Sequence, residues 1–184
     1  MHPRRPQVIS VLGAECTGKT ELCRALASAF QGLTFEETLR AWVRERGRPP
    51  TLAEQSALFM EQCEQEKSAI QAAKHSNSPL VFVDSGPLMT AVYSQVYFSD
   101  LSLLSQALAW QTRYDLTLVC RDDLPWEPDP GQRDGEGYRS RAQVALNAAL
   151  ETTKGLVIEQ VFGQGVQRVS LASAFLNRLH CESR

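Results

Sequence analysis

Residues 8–30 read VISVLGAECTGKTELCRALASAF, and this stretch decides the fold. Val8, Ile9, Val11 and Leu12 form a short apolar run suited to a buried strand, while Leu22, Leu26, Ala29 and Phe30 recur on one face of a helix. Between them Gly13, Gly18, Lys19 and Thr20 fit the spacing G-x-x-x-x-G-K-[ST] without a mismatch. Four fixed positions coincide by chance on the order of once in a hundred chains of this length, and the flanking strand and helix make coincidence rarer. Glycines at 13 and 18 let the backbone turn so that successive N–H groups face one anion. The helix beginning near Lys19 adds unpaired N–H groups and the positive end of its dipole. In such a loop the lysine reaches the β- and γ-phosphates and the Thr20 hydroxyl binds Mg²⁺. The expected ligand is a nucleoside triphosphate, with Gly13, Ala14, Glu15, Cys16, Thr17, Gly18, Lys19, Thr20 and Glu21 as its contacts.

Bulk properties narrow the partners. A chain of 184 residues with 19 basic and 21 acidic side chains has a net charge of -2, which gives no overall attraction to nucleic acid or anionic membrane. The length suits one domain spanning residues 1–184. No apolar run is long enough to cross a bilayer, and the basic start MHPRRP leads into an apolar run soon broken by Glu15 and Lys19. The expected location is the cytoplasm. Cys16, Cys23, Cys63, Cys120 and Cys181 are odd in number and lack C-x-x-C spacing, as reduced thiols do. Cys63 and Cys120 fall where packing is their expected role. Cys16 lies inside the phosphate loop, where bound ATP is expected to shield it. His2, His75 and His180 have no metal-ligand spacing.

Strand-like and helix-like segments alternate along the chain, which predicts an α/β fold with a doubly wound, five-stranded parallel sheet, of the P-loop nucleoside triphosphatase and nucleoside-kinase type. The expected strands lie at 8–12, 33–35, 80–84, 115–120 and 156–161. Thr51 and Glu54 make a capping box for a long helix, and Pro87 is placed to open another. Ligands in such sheets bind beyond the carboxyl ends of the strands, so the chemistry at those ends matters. Glu36 and Glu37 follow the second strand and Asp84 ends the third. Asp84 is a candidate for the carboxylate that helps hold Mg²⁺ beside Thr20, or else a strand-end residue that satisfies local N–H groups.

The stretch RDDLPWEPDPGQRDGEGYRSR, residues 121–141, is long for a plain connection and rich in proline, glycine and arginine. It reads as a lid at about 121–139 or as an ordinary solvated loop. As a lid, Arg133 and Arg139 would neutralise charge developing on a transferred phosphoryl group.

These residues together resemble the ribosylnicotinamide kinase domain of NadR-like proteins and the related small P-loop AAA-type ATP-binding proteins. GAECTGKT, with Glu15, is similar to that family's loop, and EETLRAWV places Glu37, Arg40 and Trp42 in register. VFVDSG matches the third-strand aspartate, and DLTLVCRDDLPWEPDPGQR resembles a fourth strand running into Pro125, Trp126, Asp129, Gly131 and Arg133. Two departures stand out. Gly86 occupies a position where the family often has a second aspartate, and Asp129, Pro130 and Gly131 replace an Asp-Asp-Gly. The further domains of larger family members are not expected, nor is direct transcriptional repression.

The resemblance implies transfer of the ATP γ-phosphate, with Mg²⁺, to a small hydroxyl acceptor of the nicotinamide riboside type, and so a role in NAD metabolism. Lys19, Asp84, Glu37, Arg133 and Arg139 are the catalytic candidates. Glu36, Glu37, Arg40 and Asp84 are the substrate-binding candidates, and Thr20 and Asp84 the metal ligands. Glu37 is the first choice for the base, with Glu36 second. Its other reading is a helix N-terminal carboxylate that complements the dipole. Arg40 either orients the acceptor or pairs with Glu37, and Trp42 packs in the core or stacks on a planar base. The turn around Gly163 and Gly165 is a candidate wall for the nucleotide base. The competing class is a regulatory ATPase or partner-binding protein with no small acceptor, and a third possibility is a metabolic kinase for another substrate, such as a nucleotide or sugar-like alcohol.

Overall fold

The computed structural model describes residues 5–127 and 135–182; Arg133 and the centre of the charged loop lie outside the described residues. Five strands, β1 (Gln7–Leu12), β2 (Leu33–Thr34), β3 (Leu80–Asp84), β4 (Leu116–Cys120) and β5 (Ile158–Val161), form one parallel sheet in the order β2-β3-β1-β4-β5. The strand that leads into the phosphate loop is therefore central. Its register sets Val11 opposite Asp84 on β3 and Val11 opposite Leu118 on β4, so the loop and the Asp84 carboxylate leave the sheet side by side.

Every residue of β3 and β4 is buried, the pattern of strands covered on both faces. On one face Ile9, Val11, Phe82 and Leu118 pack against Leu22 and Leu26 of α1 (Lys19–Phe30) and Leu176 of α7 (Val166–Glu182). On the other, Leu12 and Val119 meet Phe59 of α3 (Gln55–Ser76), Leu88 and Val92 of α4 (Pro87–Phe98), Ala107 of α5 (Leu104–Gln111) and Leu146 of α6 (Glu136–Glu151). Val8, Val81 and Val83 complete that side with Ala73. α2 (Thr38–Arg46) lies beside α3 near the β2 edge. No helix of the described residues is long and apolar enough to cross a membrane.

The local signals act where the sequence places them, with shifted ends. The Thr51–Glu54 capping box forms, with the Thr51 N–H and hydroxyl both donating to Glu54 Oε2 at 2.8 Å. It opens a 3₁₀ turn, Leu52–Glu54, ahead of α3. Pro87 is the first residue of α4. β4 begins one residue later than expected, at Leu116: the Asp115 carboxylate accepts from the Val8 N–H at 2.8 Å and from Arg5 at 2.5 Å.

One buried acid in this framework titrates out of its usual range. Glu66 on α3 is 1% exposed, and its Oε2 accepts from the Trp110 indole at 2.8 Å and the Tyr114 hydroxyl at 2.7 Å. Burial raises its carboxyl to about 7, against those two donors and the Arg113 charge. A raised acid binds its proton more tightly in the folded state. Its stabilising contribution is complete below the unfolded value of 4.5 and is lost as pH rises through about 7. The melting temperature is therefore expected to fall across that window, and Glu66→Gln to flatten the slope, as read by thermal melts from pH 5 to 8. An unchanged slope in Glu66→Gln would exclude this residue as the cause.

Candidate functional site

The phosphate loop is shaped by contacts that leave no room for other residues. Gly13 has φ +148°, and a Cβ there would lie 2.7 Å from Thr17 Oγ1 and 2.8 Å from the Cys120 carbonyl. Gly18 has φ +73°, with Leu124 packed 3.1 Å from where its Cβ would stand. Inside the turn the Thr17 hydroxyl donates to the Ala14 carbonyl at 2.8 Å. The Ala14 N–H donates to Gln143 Oε1 of α6 at 3.2 Å, so this one loop amide faces the protein. The first intrahelical amide of α1 is that of Leu22, bonded to the Gly18 carbonyl at 3.0 Å. That leaves the N–H groups of Lys19, Thr20 and Glu21 at the open helix end.

Lys19 is 8% exposed, and its ammonium donates to the Ala14 carbonyl at 2.7 Å. A phosphate oxygen is a stronger acceptor for the same donor because it carries charge. The Thr20 hydroxyl donates to Asp84 Oδ2 at 2.5 Å. The two residues thus present hard oxygen donors at the mouth of the loop, the set that Mg²⁺ takes from proteins when phosphates and water supply the remainder. Among the described residues no cluster of three or more His, Cys, Asp or Glu is placed to hold a metal.

Asp84 is held in place by the turn that follows it. Ser85 takes φ +56°, its N–H bonds the Val11 carbonyl at 3.1 Å, and its hydroxyl reaches Asp84 Oδ1 at 3.3 Å. The Gln62 side-chain amide of α3 donates to the Ser85 carbonyl, and Gln62 Oε1 accepts from the Thr90 hydroxyl at 2.8 Å. Glu37 stands at the N-cap of α2 but makes no side-chain cap bond. Its carboxyl, 15% exposed, lies 3.9 Å from the Arg40 guanidinium. Burial holds the Glu37 carboxyl above its ordinary range, with Asp84 adding to the effect and Lys19 and Arg40 opposing it.

The phosphate loop and Glu37 open into a cleft of about 670 Å³. Its far side is built by Leu39, Arg40 and Val43 of α2, Pro49 and Pro50, Gln55 and Leu58 of α3, and Thr90, Tyr93 and Tyr97 of α4. The three α4 residues stand three and four positions apart, so they share one helix face. Tyr97 stacks on Tyr138 of α6, with ring centres 4.8 Å apart and planes within 10°. Beside the cleft, Thr20, Arg24, Glu36, Glu37, Arg40 and Asp84 border a smaller recess of about 250 Å³.

The remaining candidates have different surroundings. Glu36 is exposed and pairs with Arg44, which holds its carboxyl below the usual range. Trp42 is 4% exposed, lies beneath the Arg46 guanidinium at 3.4 Å and does not line the cleft. Arg139 is 3% exposed, and its guanidinium donates to the Leu124 carbonyl at 2.8 Å, so it anchors the described start of the charged loop from below. Arg133 is outside the described residues. A Cβ at Gly86 would meet the Tyr114 hydroxyl at 2.9 Å, so this position faces the packed interior rather than the cleft.

Sequence reasoning missed Arg168, Asp123, Gln143 and the α4 face. Arg168 of α7 is 4% exposed. It donates to the Thr17 carbonyl, to the Gly163 carbonyl at 2.9 Å and to the Asp123 carboxylate. Asp123 also accepts from the Gly163 N–H at 2.6 Å. The phosphate loop, the segment after β4 and the turn after β5 are thereby tied together. An arginine inside an otherwise apolar helix face was the available signal.

A family model described as an AAA domain matches residues 8–168. The chain belongs to that AAA-domain family. Among solved structures this AAA domain is similar to the NadR protein in complex with NR, at 20% identity and a TM-score of 0.78, covering 97% of this chain and 52% of that one. A NadR structure with NAD and AMP-PNP gives the same TM-score at 21% identity; the chain spans about half the length of the NadR chains. Deoxyadenosine kinase from M. mycoides has a TM-score of 0.67 at 12% identity, covering 94% and 100% of the two chains. Thymidylate kinase from Candida albicans has 0.66 at 16%, covering 96% and 94%. No curated protein sequence matches significantly. The NadR-like resemblance and the P-loop fold class are thus borne out; at these identities the likeness establishes the fold.

Two expectations follow from the loop. Lys19→Ala should abolish measurable triphosphate binding by calorimetry while leaving the circular dichroism melt within a few degrees; undiminished binding would refute the site assignment. The Cys16 thiol lines the cleft and, among the described residues, hydrogen-bonds the Glu127 backbone at 3.3 and 3.5 Å. Mg-ATP should therefore slow maleimide labelling of Cys16, as followed by mass spectrometry of the labelled peptide.

Proposed function

We propose that the protein is an ATP-dependent small-molecule kinase that transfers the γ-phosphate to the hydroxyl of a riboside, of the nicotinamide riboside type. The observation that carries this reading is the shared cleft. A phosphate loop forms one side, a buried carboxyl of raised affinity for protons stands at its floor, and an apolar wall with two tyrosines forms the other side. A regulatory ATPase has no need for the second half of that arrangement.

The loop amides with Lys19 hold the triphosphate. Thr20 and Asp84 fit Mg²⁺, which would draw charge from the β- and γ-phosphate oxygens. Glu37, beside Asp84 and Lys19, takes the proton from the acceptor hydroxyl. Its elevated proton affinity suits a base that must accept a proton during transfer. Arg40, 3.9 Å away, orients that carboxylate. Tyr93 and Tyr97 give the flat ring of a riboside an amphipathic surface. Arg139 acts through the Leu124 carbonyl that it holds, and the reading places the reaction in cytoplasmic NAD metabolism.

ADP release measured with Mg-ATP and a panel of ribosides tests the reading. Acceptor-dependent ADP is expected; release at the same rate without any acceptor would overturn it in favour of an ATPase. Glu37→Gln should lower kcat by roughly 10²–10⁴-fold. In the wild type, activity should rise with pH through a midpoint above the usual carboxylate range, because the base works only when deprotonated. That acid limb should vanish in Glu37→Gln.

A further inference from the structure

Glu15 carries a negative charge inside a loop built to bind anions. It lies two residues after Gly13, and its side chain lines the main cleft beside Lys19 and Tyr93. Its Oε1 is fully buried and accepts no hydrogen bond, and no cation pairs with it among the described residues. A buried carboxylate oxygen without a donor is unfavourable wherever it occurs. Here the nearest incoming ligand would be a triphosphate, which has no donor to offer and repels it.

The carboxylate borders the cleft that Tyr93 and Glu37 also line. The Tyr93 hydroxyl, on the α4 wall, is held above its ordinary range first by burial and then by the negative charges of Glu15, Glu37 and Asp84. Glu15 lines one cleft with Tyr93 and Glu37. There the missing partner is a neutral donor, and a sugar hydroxyl is such a group.

We propose that Glu15 accepts a hydrogen bond from a ribose hydroxyl of the phosphoryl acceptor, so that the loop holding the donor nucleotide also selects the acceptor. This rests on the kinase reading above and deepens it: the acceptor class is a sugar with a free hydroxyl beyond the one phosphorylated. The residue positions and discriminates, while the proton transfer belongs to Glu37.

The test uses the full chain, a riboside that gives acceptor-dependent ADP with the wild type, and its 2′-deoxy and 3′-deoxy analogues. Glu15→Ala and the isosteric Glu15→Gln are compared with wild type for KM and kcat toward each acceptor and for binding of AMP-PNP with Mg²⁺ by calorimetry. Loss of a hydrogen bond to a charged group should raise the riboside KM about tenfold or more in Glu15→Ala, with AMP-PNP affinity within about twofold. Toward one deoxy analogue the same substitution should cost almost nothing, because the hydroxyl it recognised is gone. Glu15→Gln, which keeps a carbonyl oxygen, should fall between. Equal losses toward riboside and both deoxy analogues, weakened AMP-PNP binding with unchanged acceptor KM, or wild-type behaviour throughout would each overturn the Glu15 assignment and leave the kinase reading standing. A wild type that releases no acceptor-dependent ADP overturns both.

Discussion

The site depends on one close approach, that of the Gly13 backbone to the end of β4. A Cβ on residue 13 would press on Thr17 Oγ1 and on the Cys120 carbonyl, both under 3 Å away. With φ at +148°, a side chain there would also cost on the order of 1–3 kcal/mol in backbone strain alone. Because β1 lies between β3 and β4, its chain has no free edge to leave by and must turn back directly over its own strand end. Glycine makes that turn tight enough for Thr17 to reach Ala14 and for Arg168 to reach Thr17. The loop is a ring closed by its own hydrogen bonds and gripped from α7.

Charges of both signs line the cleft. Two like charges about 5 Å apart cost about 3 kcal/mol at an effective dielectric of about 20, whereas a single neutral hydrogen bond contributes about 1 kcal/mol net. The placement of carboxylates therefore outweighs the count of hydrogen bonds in deciding where an anion can sit. Lys19 and the N-terminus of α1 favour an anion. Glu15 and Glu37 line the same cleft, where a hydroxyl-bearing ligand meets acceptors, and Asp84 stands with Thr20 beside the loop. The raised proton affinity of Glu37 has the same cause: burial beside Asp84 leaves it short of compensating charge, and Lys19 and Arg40 restore only part.

The fold and the phosphate loop were legible because they are written in local patterns. Alternating periodicities announced the five strands, and G-x-x-x-x-G-K-[ST] needs only eight consecutive residues. Asp84 could be placed because strand ends in a parallel sheet converge. Element ends were less legible: β4 was expected from residue 115, but the Asp115 side chain is engaged with Val8 N–H and Arg5, which are remote in sequence. The acceptor wall was legible only in retrospect. Thr90, Tyr93 and Tyr97 share a helical face, but that face reads equally as core until α2 and α3 are seen opposite it. Arg168 and Gln143 carried no motif, since each acts on a loop more than a hundred residues away.

The described segment after β4 shows how the two parts of the cleft are joined. Asp123 is fixed by the Arg168 guanidinium and the Gly163 amide. The Leu124 carbonyl is fixed by Arg139, and the Glu127 backbone meets the Cys16 sulfur at 3.3 and 3.5 Å. Bonds from a guanidinium are roughly twice as strong as neutral ones, and sulfur is a weak donor and acceptor. Charged bonds are concentrated where the segment meets the turn around Gly163. Arg168 thus ties the phosphate loop to the segment after β4, and Arg139 ties that same segment to α6 through the Leu124 carbonyl.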